Sequence, residues 1–163
     1  MTDLKTLYET DTVAWSTHQA SALRNAARGG SNQPLDWENL AEEIEDLGKS
    51  LRLRLRSQIA RIIHHQVKLE YSPAVDPGKG WRRTIRQARM DIDRVLEDSP
   101  SLRQEVPRLI EKETPPAVQL AILDLEGHGE LGQMSLPRVG GVSYAEEQVL
   151  GDWFPEEPPG SGG

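Results

Sequence analysis

Six carboxylates and no basic residue occupy the segment LDWENLAEEIEDLG, residues 35–48. Carboxylates spaced three, four or seven residues apart share one face of a helix, where they can hold a metal cation or transfer protons. Helical bundles that bind two metals add a Glu-x-x-His pair on core-facing positions, and no Glu in this chain has a His three residues after it. Negative charge is also favourable near a helix N-terminus. We therefore predict a solvent-exposed acidic face without a metal site, formed by Glu38, Glu42, Glu45 and Asp46.

Two adjacent histidines, His64 and His65, are the second place where chemistry is conceivable. Successive residues on a helix point about 100° apart, so the two rings do not ligate one ion together. His65 lies at the edge of an apolar stripe, which favours a core histidine hydrogen-bonded to a neighbour. The enzymatic or metal-binding alternative combines His18, His65 and nearby carboxylates. The chain has no nucleophile elbow, phosphate-binding glycine loop or paired-cysteine motif to support that alternative.

Three arginines, Arg82, Arg86 and Arg89, fall on one flank of a predicted helix. Such a row is usually a solvated face, and its alternative use is to hold phosphates or an acidic partner. The whole chain carries a net charge of −7, whereas nucleic-acid-binding domains are usually basic. The sequence therefore disfavours nucleic acid as a partner, and accessory binding through this row is the last alternative.

The residues around the acids predict one long helix over about residues 36–70, central in an all-α helical bundle. Asp36 is a good N-cap, because its carboxylate can accept N–H groups of the first turn. Gly48 costs about 1 kcal/mol inside a helix, and LRLRLR at 51–56 alternates like a strand, but Leu and Arg are good helix formers. The apolar stripe that is predicted to face the core consists of Trp37, Leu40, Ile44, Leu47, Leu51, Leu55, Ile59, Ile62 and Leu69.

Further helices are predicted on both sides of this one. A first helix covers 4–28, where apolar residues recur at three- and four-residue steps. After a loop at 71–80, a third helix begins at Trp81. Ser99 is predicted to cap a fourth helix, and Thr114 with the two prolines after it begins a fifth.

The last part of the chain is predicted to be a Gly- and Pro-rich C-terminal extension. Residues 1–126 form the helical bundle domain, and 127–155 pack on it with one short helix whose capping box is Ser143 and Glu146. The remaining residues, 156–163, are predicted to be a disordered tail.

The composition indicates a protein without disulfides or membrane spans. The 163 residues include no cysteine, 36% of them are hydrophobic and 28% are charged, which suits one domain with an aliphatic core. No apolar run approaches the ~20 residues that cross a bilayer, and the N-terminal residues lack the basic and apolar regions of a secretory signal. We expect a bacterial cytoplasmic protein with no cofactor and no membrane contact.

Several motifs occur in an order that resembles a bacterial family. They are LYETDTVAW, LDWENLAEEIEDLG, HHQVK and WRRTIRQARMDIDRVLEDSPSLR, followed by a weaker match at YAEEQVL. The chain is similar, from about Leu7 to Arg103, to the domain-of-unknown-function family twenty-nine, which is common in cyanobacteria and proteobacteria. The resemblance implies an all-helical fold and no particular activity, because no function is established for that family. Gln66 departs from the family pattern, which has an apolar residue at that position.

The uneven division of charge indicates how the long helix could bind another molecule. Residues 35–48 carry −6 and residues 49–61 carry +5. In the second half of the long helix, a second apolar strip lies on the side that the acids occupy in the first half of the same helix. Either later helices or another chain must cover this strip. An antiparallel meeting of two copies would set each acidic segment against the other's basic segment, as a two-fold contact requires. We predict such a homodimer, with the strip supplying affinity and the charges supplying register; the strip is Leu53, Ala60, Ile63 and Val67.

Three classes of function follow from these observations, and the sequence favours the first, which is not enzymatic. The first is a helical interaction or structural module that forms homodimers or binds a protein partner. The second is a metal-binding or hydrolytic bundle, and the third is an accessory nucleic-acid binder. The residues expected to make the contacts of the first class are Glu38, Glu42, Glu45, Asp46, Arg52, Leu53, Arg56, Ala60, Ile63, Val67, Arg82, Arg86 and Arg89.

Overall fold

The computed structural model describes residues 3–72, 75–127 and 137–156, and every regular element in these ranges is a helix. The α-helices are α1 (Leu4–Thr10), α2 (Thr12–Arg28), α3 (Trp37–Tyr71), α4 (Val75–Asp98), α5 (Val106–Gly127) and α6 (Glu146–Leu150), and the 3₁₀ helices are Pro100–Glu105 and Val139–Gly141. The predicted all-α class and the single long helix are therefore confirmed. The Gly-rich stretch at 128–136 and the tail at 157–163, for which the sequence also makes predictions, lie outside the described residues.

The described residues divide into two compact units. The first is drawn from Met1–Leu55 and Arg94–Glu105, and the second from Arg56–Asp93 and Val106–Gly163. Helices α3 and α4 therefore contribute residues to both units.

The first unit begins with two helices where the sequence predicts one. Asp11 is extended, with φ −157° and ψ 92°, and separates α1 from α2. Its carboxylate accepts the N–H of Ala14 at 2.9 Å, which caps α2. The same carboxylate accepts the N–H of Ser101 at 2.7 Å and the Ser101 hydroxyl at 2.9 Å. The prediction of an unbroken helix over 4–28 is wrong because Asp11 caps a new helix and binds a distant 3₁₀ helix at the same time.

Ser99 has a different partner from the one that its position suggests. The residues after it form a 3₁₀ helix and not the start of an α-helix. Its side chain is fully buried, and its hydroxyl oxygen accepts the N–H of Val13 in α2 at 3.2 Å. The prediction that Ser99 caps its own helix is therefore corrected, since the hydroxyl satisfies a donor in the first turn of α2.

Helix α3 begins and continues as the sequence predicts. Asp36 lies immediately before it and accepts the Asn39 N–H at 3.3 Å. The helix passes through Gly48 without interruption. A Cβ at Gly48 would lie 2.8 Å from Ser16 Oγ and 3.7 Å from Val13 Cγ1, so the missing side chain lets α2 pack closely on α3 at this point.

The second unit has an aliphatic core, as the composition indicates. Side chains from α3, α4, α5 and α6 supply it. The largest contributions come from β-branched residues, which have few rotamers to lose on burial. Fully buried members are Ile59, Ile62, Ile63, Val67, Ile85, Val118, Ala121 and Val149.

Two helix boundaries in the second unit differ from the prediction. Helix α4 begins at Val75, six residues before Trp81, because its first turn can include Pro77, whose missing N–H has no helical partner there. Helix α5 continues through Pro115 and Pro116, where the sequence predicts a break. Each proline removes one helical hydrogen bond, but buried side chains on both sides of the pair hold the helix together. These are Val106, Leu109, Ile110, Ala117, Val118 and Ala121.

The segment after residue 136 packs through a few specific contacts. Helix α6 is capped by Gln148, whose side-chain oxygen accepts the Ala145 N–H at 2.8 Å, and not by the predicted pair Ser143 and Glu146. Just before this helix, the buried Tyr144 donates its hydroxyl to Glu70 of α3 at 2.8 Å. Burial and the neighbouring carboxylate raise the pKa of Tyr144 far above its usual range, so the phenol remains protonated and acts as a donor.

Candidate functional site

The acidic face of α3 is partly neutralised by α2 and by the next turn of its own helix. Arg24 of α2 lies 3.2 Å from Glu38 and 3.1 Å from Glu45. Lys49 lies 3.7 Å from Glu45 and 3.4 Å from Asp46. The hydrogen bond from Arg24 holds the pKa of Glu45 below its usual value. These acids point to solvent and to cations, and no group of three or more metal-ligating side chains converges anywhere in the described ranges.

The apolar stripe of α3 is buried in its second half and exposed in its first half. Leu55, Ile59 and Ile62 are fully buried, as predicted. In contrast, Leu40 is 40% exposed and Leu47 is 48% exposed, whereas Ala41 is fully buried. Ala41 and Gly48 are the buried positions of this half of α3, and at Gly48 the missing side chain allows α2 to approach closely.

The consequence is a row of large apolar side chains that the first unit covers only in part. Their spacing alternates between three and four residues, which is the spacing of a seam that packs against another helix. The prediction that these residues face the core is therefore wrong for Leu40 and Leu47, whereas Trp37, Ile44 and Leu51 are half-buried. We call the row the apolar seam, and it consists of Trp37, Leu40, Ile44, Leu47 and Leu51.

The basic run of α3 finds acidic partners within its own chain. The Arg52 Nε lies 3.0 Å from Glu105 in the first unit, and the Arg56 Nε lies 2.8 Å from Glu113 in the second. The antiparallel dimer predicted from the sequence needs these charges for the acidic segment of another copy. Both are paired within the chain here, so in such a dimer Arg52 and Arg56 would have to exchange these partners.

The second apolar strip is covered mainly by the chain itself. Ile63 and Val67 are fully buried, and Ala60 is half-buried. Leu53, by contrast, is 59% exposed. The sequence leaves open whether later helices or another chain cover this strip. Ile63 and Val67 are buried within the chain itself, so these two residues are not available to a second copy.

The arginine row on α4 binds the C-terminal segment. Arg89 is buried and donates hydrogen bonds to the carbonyl oxygens of Val149 at 2.9 Å, Gln148 at 3.0 Å and Trp153 at 2.7 Å. The guanidinium carbons of Arg82, Arg86 and Arg89 lie 5.5, 5.1 and 4.8 Å from the ring centre of Phe154. The predicted solvated face is therefore wrong for Arg89, which is buried, and the alternative use of this residue in holding phosphates is corrected too, because backbone carbonyls occupy its donors.

The histidines line a cleft in the second unit. The cleft has a volume of about 430 Å³ and lies between α3 and α5. His64 donates from Nε2 to Asp124 Oδ2 at 2.8 Å, and Lys68 Nζ lies 3.5 Å from the same oxygen. The sequence does not single out Asp124, and it includes Lys68 only as part of the motif HHQVK. Asp124 lies 60 positions from His64, with no spacing signal to join them.

His65 differs from the predicted hydrogen-bonded core histidine. Its Nδ1 is buried and has no hydrogen-bond partner among the described residues. Burial and the charges of His64, Lys68 and Arg61 lower its pKa to about 4. His18 belongs to the first unit, where it is exposed and contacts Gln19, so neither unit by itself contains the predicted pair of His18 and His65.

The lowered pKa of His65 predicts a stability that falls in mild acid. The unfolded histidine binds a proton below about pH 6.5, whereas the folded one does so only below about pH 4. The unfolded state therefore gains protons first, and the free energy of unfolding should fall by about 1–3 kcal/mol between these pH values. Urea unfolding of the wild type and of His65→Leu at pH 7 and pH 4.5 tests this. The variant should lose less stability than the wild type, and equal losses would contradict the assignment to His65.

The fold and the two sites define an all-helical protein with an exposed seam in one unit and a charged cleft in the other. The chain belongs to the family described as Domain of unknown function DUF29, which matches residues 7–154. No curated protein matches the chain. Among solved structures, it is similar to the crystal structure of an alpha-helical protein of unknown function from Rhodospirillum rubrum ATCC 11170, with 24% identity, a TM-score of 0.72 and coverage of 88% of each chain. That similarity supports the helical fold.

Within the described ranges, none of the helices combines the length and the apolarity that a bilayer crossing requires.

Proposed function

We propose that the first unit is a docking module for a helix of another protein, and that this helix carries apolar and basic side chains. The observation that carries the proposal is the apolar seam. Leu40 and Leu47 lie one heptad apart and are each about half exposed, and the other three seam residues are half-buried. Apolar residues at these steps on an exposed helix are the usual anchors of helix-in-groove and coiled-coil recognition.

The charges around the seam favour a basic partner. The segment 35–48 carries −6, and Arg24 and Lys49 offset two of these charges, which leaves about −4. Asp36 and Glu43 lie on the open side of the seam and are exposed. Basic side chains on a partner helix would match this edge and would speed and orient association.

A second copy of this chain fits the seam less well. In an antiparallel two-fold pair centred on the seam, a residue near the axis on one copy of α3 faces the same residue on the other copy. Glu43 of the two copies would then lie side by side, and each acidic segment would meet the other. Like charges in such a contact reduce affinity, so we propose a different protein as the occupant. A cytoplasmic, non-enzymatic role, as the sequence predicts, is part of this proposal.

Two synthetic peptides test the proposal. Both form about three heptads with Leu at the a and d positions, and they differ only in the flanking positions, which are Lys in one and Glu in the other. The Lys peptide should bind the full chain, and binding should weaken as salt increases because charges contribute to the contact. Fluorescence anisotropy of labelled peptides at several salt concentrations measures both effects.

Matched variants on α3 locate the contact. Leu47→Glu should weaken binding of the Lys peptide by at least about tenfold, because it places a charge in the centre of the seam. Leu53→Glu makes the same change at an exposed leucine on another side of the helix and should leave binding unchanged. Equal effects of the two variants, or equal binding of the two peptides, would contradict the proposal. Light scattering that shows a dimer lost in Leu47→Glu and kept in Leu53→Glu would replace the proposed partner with a second copy.

A further inference from the structure

Ionisable side chains and an apolar wall line the cleft of the second unit. It is open to solvent along one side, and its volume of about 430 Å³ is in the range of small-molecule sites. One wall comes from α3 and the other from α5, and both walls carry ionisable side chains. This cleft lies in a different unit from the apolar seam, so it stands independently of the docking proposal.

The charges in and beside the cleft sum to a small positive value. The cations are Arg56, Arg61 and Lys68, and the carboxylates are Glu113 and Asp124, which gives +1 when both histidines are neutral. Glu113 is neutralised by Arg56 at 2.8 Å. Asp124 is shared between His64 and Lys68. Arg61 is exposed at the rim and has no acidic partner within 4 Å among the described residues.

Two buried polar groups in the cleft have hydrogen-bonding capacity that their neighbours do not use. Lys68 is 8% exposed, and its ammonium lies 3.5 Å from Asp124, longer than the ~2.7–2.9 Å of a strong charge-assisted hydrogen bond. Its other close neighbour is the ring of Trp81, whose centre lies 4.7 Å away. The Nδ1 of His65 is buried without a partner in the described part of the chain. Unused buried donors are costly, and an oxygen of a bound ligand would accept a hydrogen bond from the Lys68 ammonium.

The rest of the lining is apolar. Ala60 on α3 faces Pro116, Ala117 and Leu120 on α5 across the cleft, and Leu120 is 56% exposed. An apolar wall beside a cationic end suits a ligand that has both characters. A dianion such as phosphate would gain nothing from this wall, and the two carboxylates would repel its second charge.

We infer that this cleft binds a small organic acid, whose carboxylate lies among Arg61, His64 and Lys68 and whose apolar body lies against Pro116 and Leu120. The ligand class is a monocarboxylate with an aliphatic or aromatic body. Arg61 would supply the paired donors that a carboxylate accepts, and Lys68 would supply a buried positive charge.

Titration calorimetry with four probes tests the ligand class. Hexanoate and benzoate should bind the full chain. Hexanol, which has the same body as hexanoate without the charge, and inorganic phosphate, which has charge without an apolar body, should bind at least about tenfold more weakly. Equal binding of hexanol and hexanoate would overturn the charge argument. Tighter binding of phosphate than of hexanoate, or no binding of either carboxylate, would overturn the ligand class.

Variants at exposed positions locate the ligand without disturbing the fold. Arg61→Gln removes a cation, and Leu120→Asp places a charge on the apolar wall; each should weaken hexanoate binding by about tenfold. Arg108→Gln is the matched control for Arg61→Gln, because it replaces an exposed arginine of α5 outside the cleft. It should leave hexanoate binding unchanged. Amide NMR shifts on adding hexanoate should centre on Ala60 and Leu120 and should be much smaller in Leu120→Asp at the same hexanoate concentration. Shifts elsewhere that persist in Arg61→Gln and in Leu120→Asp would overturn the assignment to this cleft.

Discussion

Replacing Arg89 by methionine is expected to lower the free energy of unfolding by about 3–5 kcal/mol, since each hydrogen bond from a charged donor contributes ~1.5–3 kcal/mol and the three are not additive. Arg89 is 7% exposed and donates to three carbonyl oxygens of the C-terminal segment. Methionine keeps most of the apolar stem and removes every donor. Urea unfolding followed by circular dichroism measures the loss, and tryptophan fluorescence reports in parallel on the aromatic side chains.

Arg86→Met is the matched control for this prediction. Arg86 lies three residues earlier on α4, is exposed and lies 5.1 Å from the same Phe154 ring. A cation–π contact at an exposed site contributes only ~0.5–1 kcal/mol, so this variant should lose less than about 1 kcal/mol. If Arg89→Met and Arg86→Met lower the free energy of unfolding by amounts within about 1 kcal/mol of each other, the carbonyl contacts of Arg89 do not hold the C-terminal segment.

Arg89→Lys separates charge from geometry. Lysine keeps the positive charge but places it on one nitrogen, so it does not reach three carbonyls in the directions that a guanidinium does. We expect it to recover only a minor part of the stability lost in Arg89→Met. Full recovery would mean that charge alone holds the C-terminal segment in place.

The role of Arg89 shows what a helical projection can and cannot predict. The projection correctly places Arg82, Arg86 and Arg89 on one flank, because that depends only on the helix that contains them. It does not show that a segment 60 residues later covers Arg89. The aromatic pair at Trp153 and Phe154 stands out in the sequence, but nothing in its spacing identifies the arginines as partners.

The elements that local signals determine were predictable. The start of α3 depends on the N-cap Asp36, whose carboxylate accepts an N–H group of the first helical turn. The continuity of α3 depends on the good helix formers on both sides of Gly48. The break at Asp11 was not predictable, because Ser101 stabilises it from 90 positions away. The unbroken course through Pro115 was not predictable either, since packing there outweighs a strong local breaker.

The candidate sites depend on tertiary contacts in the same way. The sequence identifies His64 and the acids of α3 as places for chemistry, but it does not pair His64 with Asp124 of another helix. It also assigns the whole apolar stripe of α3, including Leu40 and Leu47, to the core. The apolar seam emerges only when α2 is seen to pack on Gly48, since this contact turns the small residues inward and the larger side chains toward solvent.

Replacing Gly48 by leucine is therefore expected to lower the free energy of unfolding by about 2–4 kcal/mol, because added bulk forces a tightly packed contact apart. A Cβ alone at this position would lie 2.8 Å from Ser16 Oγ. Ser16 is 1% exposed, and its hydroxyl donates to the Val13 carbonyl at 2.9 Å, so it has little room to move. The greater helix propensity of leucine offsets less than about 1 kcal/mol of this loss, and urea unfolding measures the net effect.

Alanine substitutions isolate the close approach from helix propensity. Gly80 is also inside a helix, and a Cβ there would meet nothing within 4 Å, so Gly80→Ala should stabilise the chain by about 0.5–1 kcal/mol. Gly48→Ala gains the same propensity but meets Ser16, so it should be neutral or destabilising. Ser16→Ala removes the hydroxyl oxygen that the new Cβ would meet. The double variant Ser16→Ala with Gly48→Ala should therefore be more stable than the single variant Ser16→Ala. If Gly48→Ala stabilises as much as Gly80→Ala in the wild-type background, α2 does not approach α3 closely, and the outward rotation of the apolar seam loses its cause.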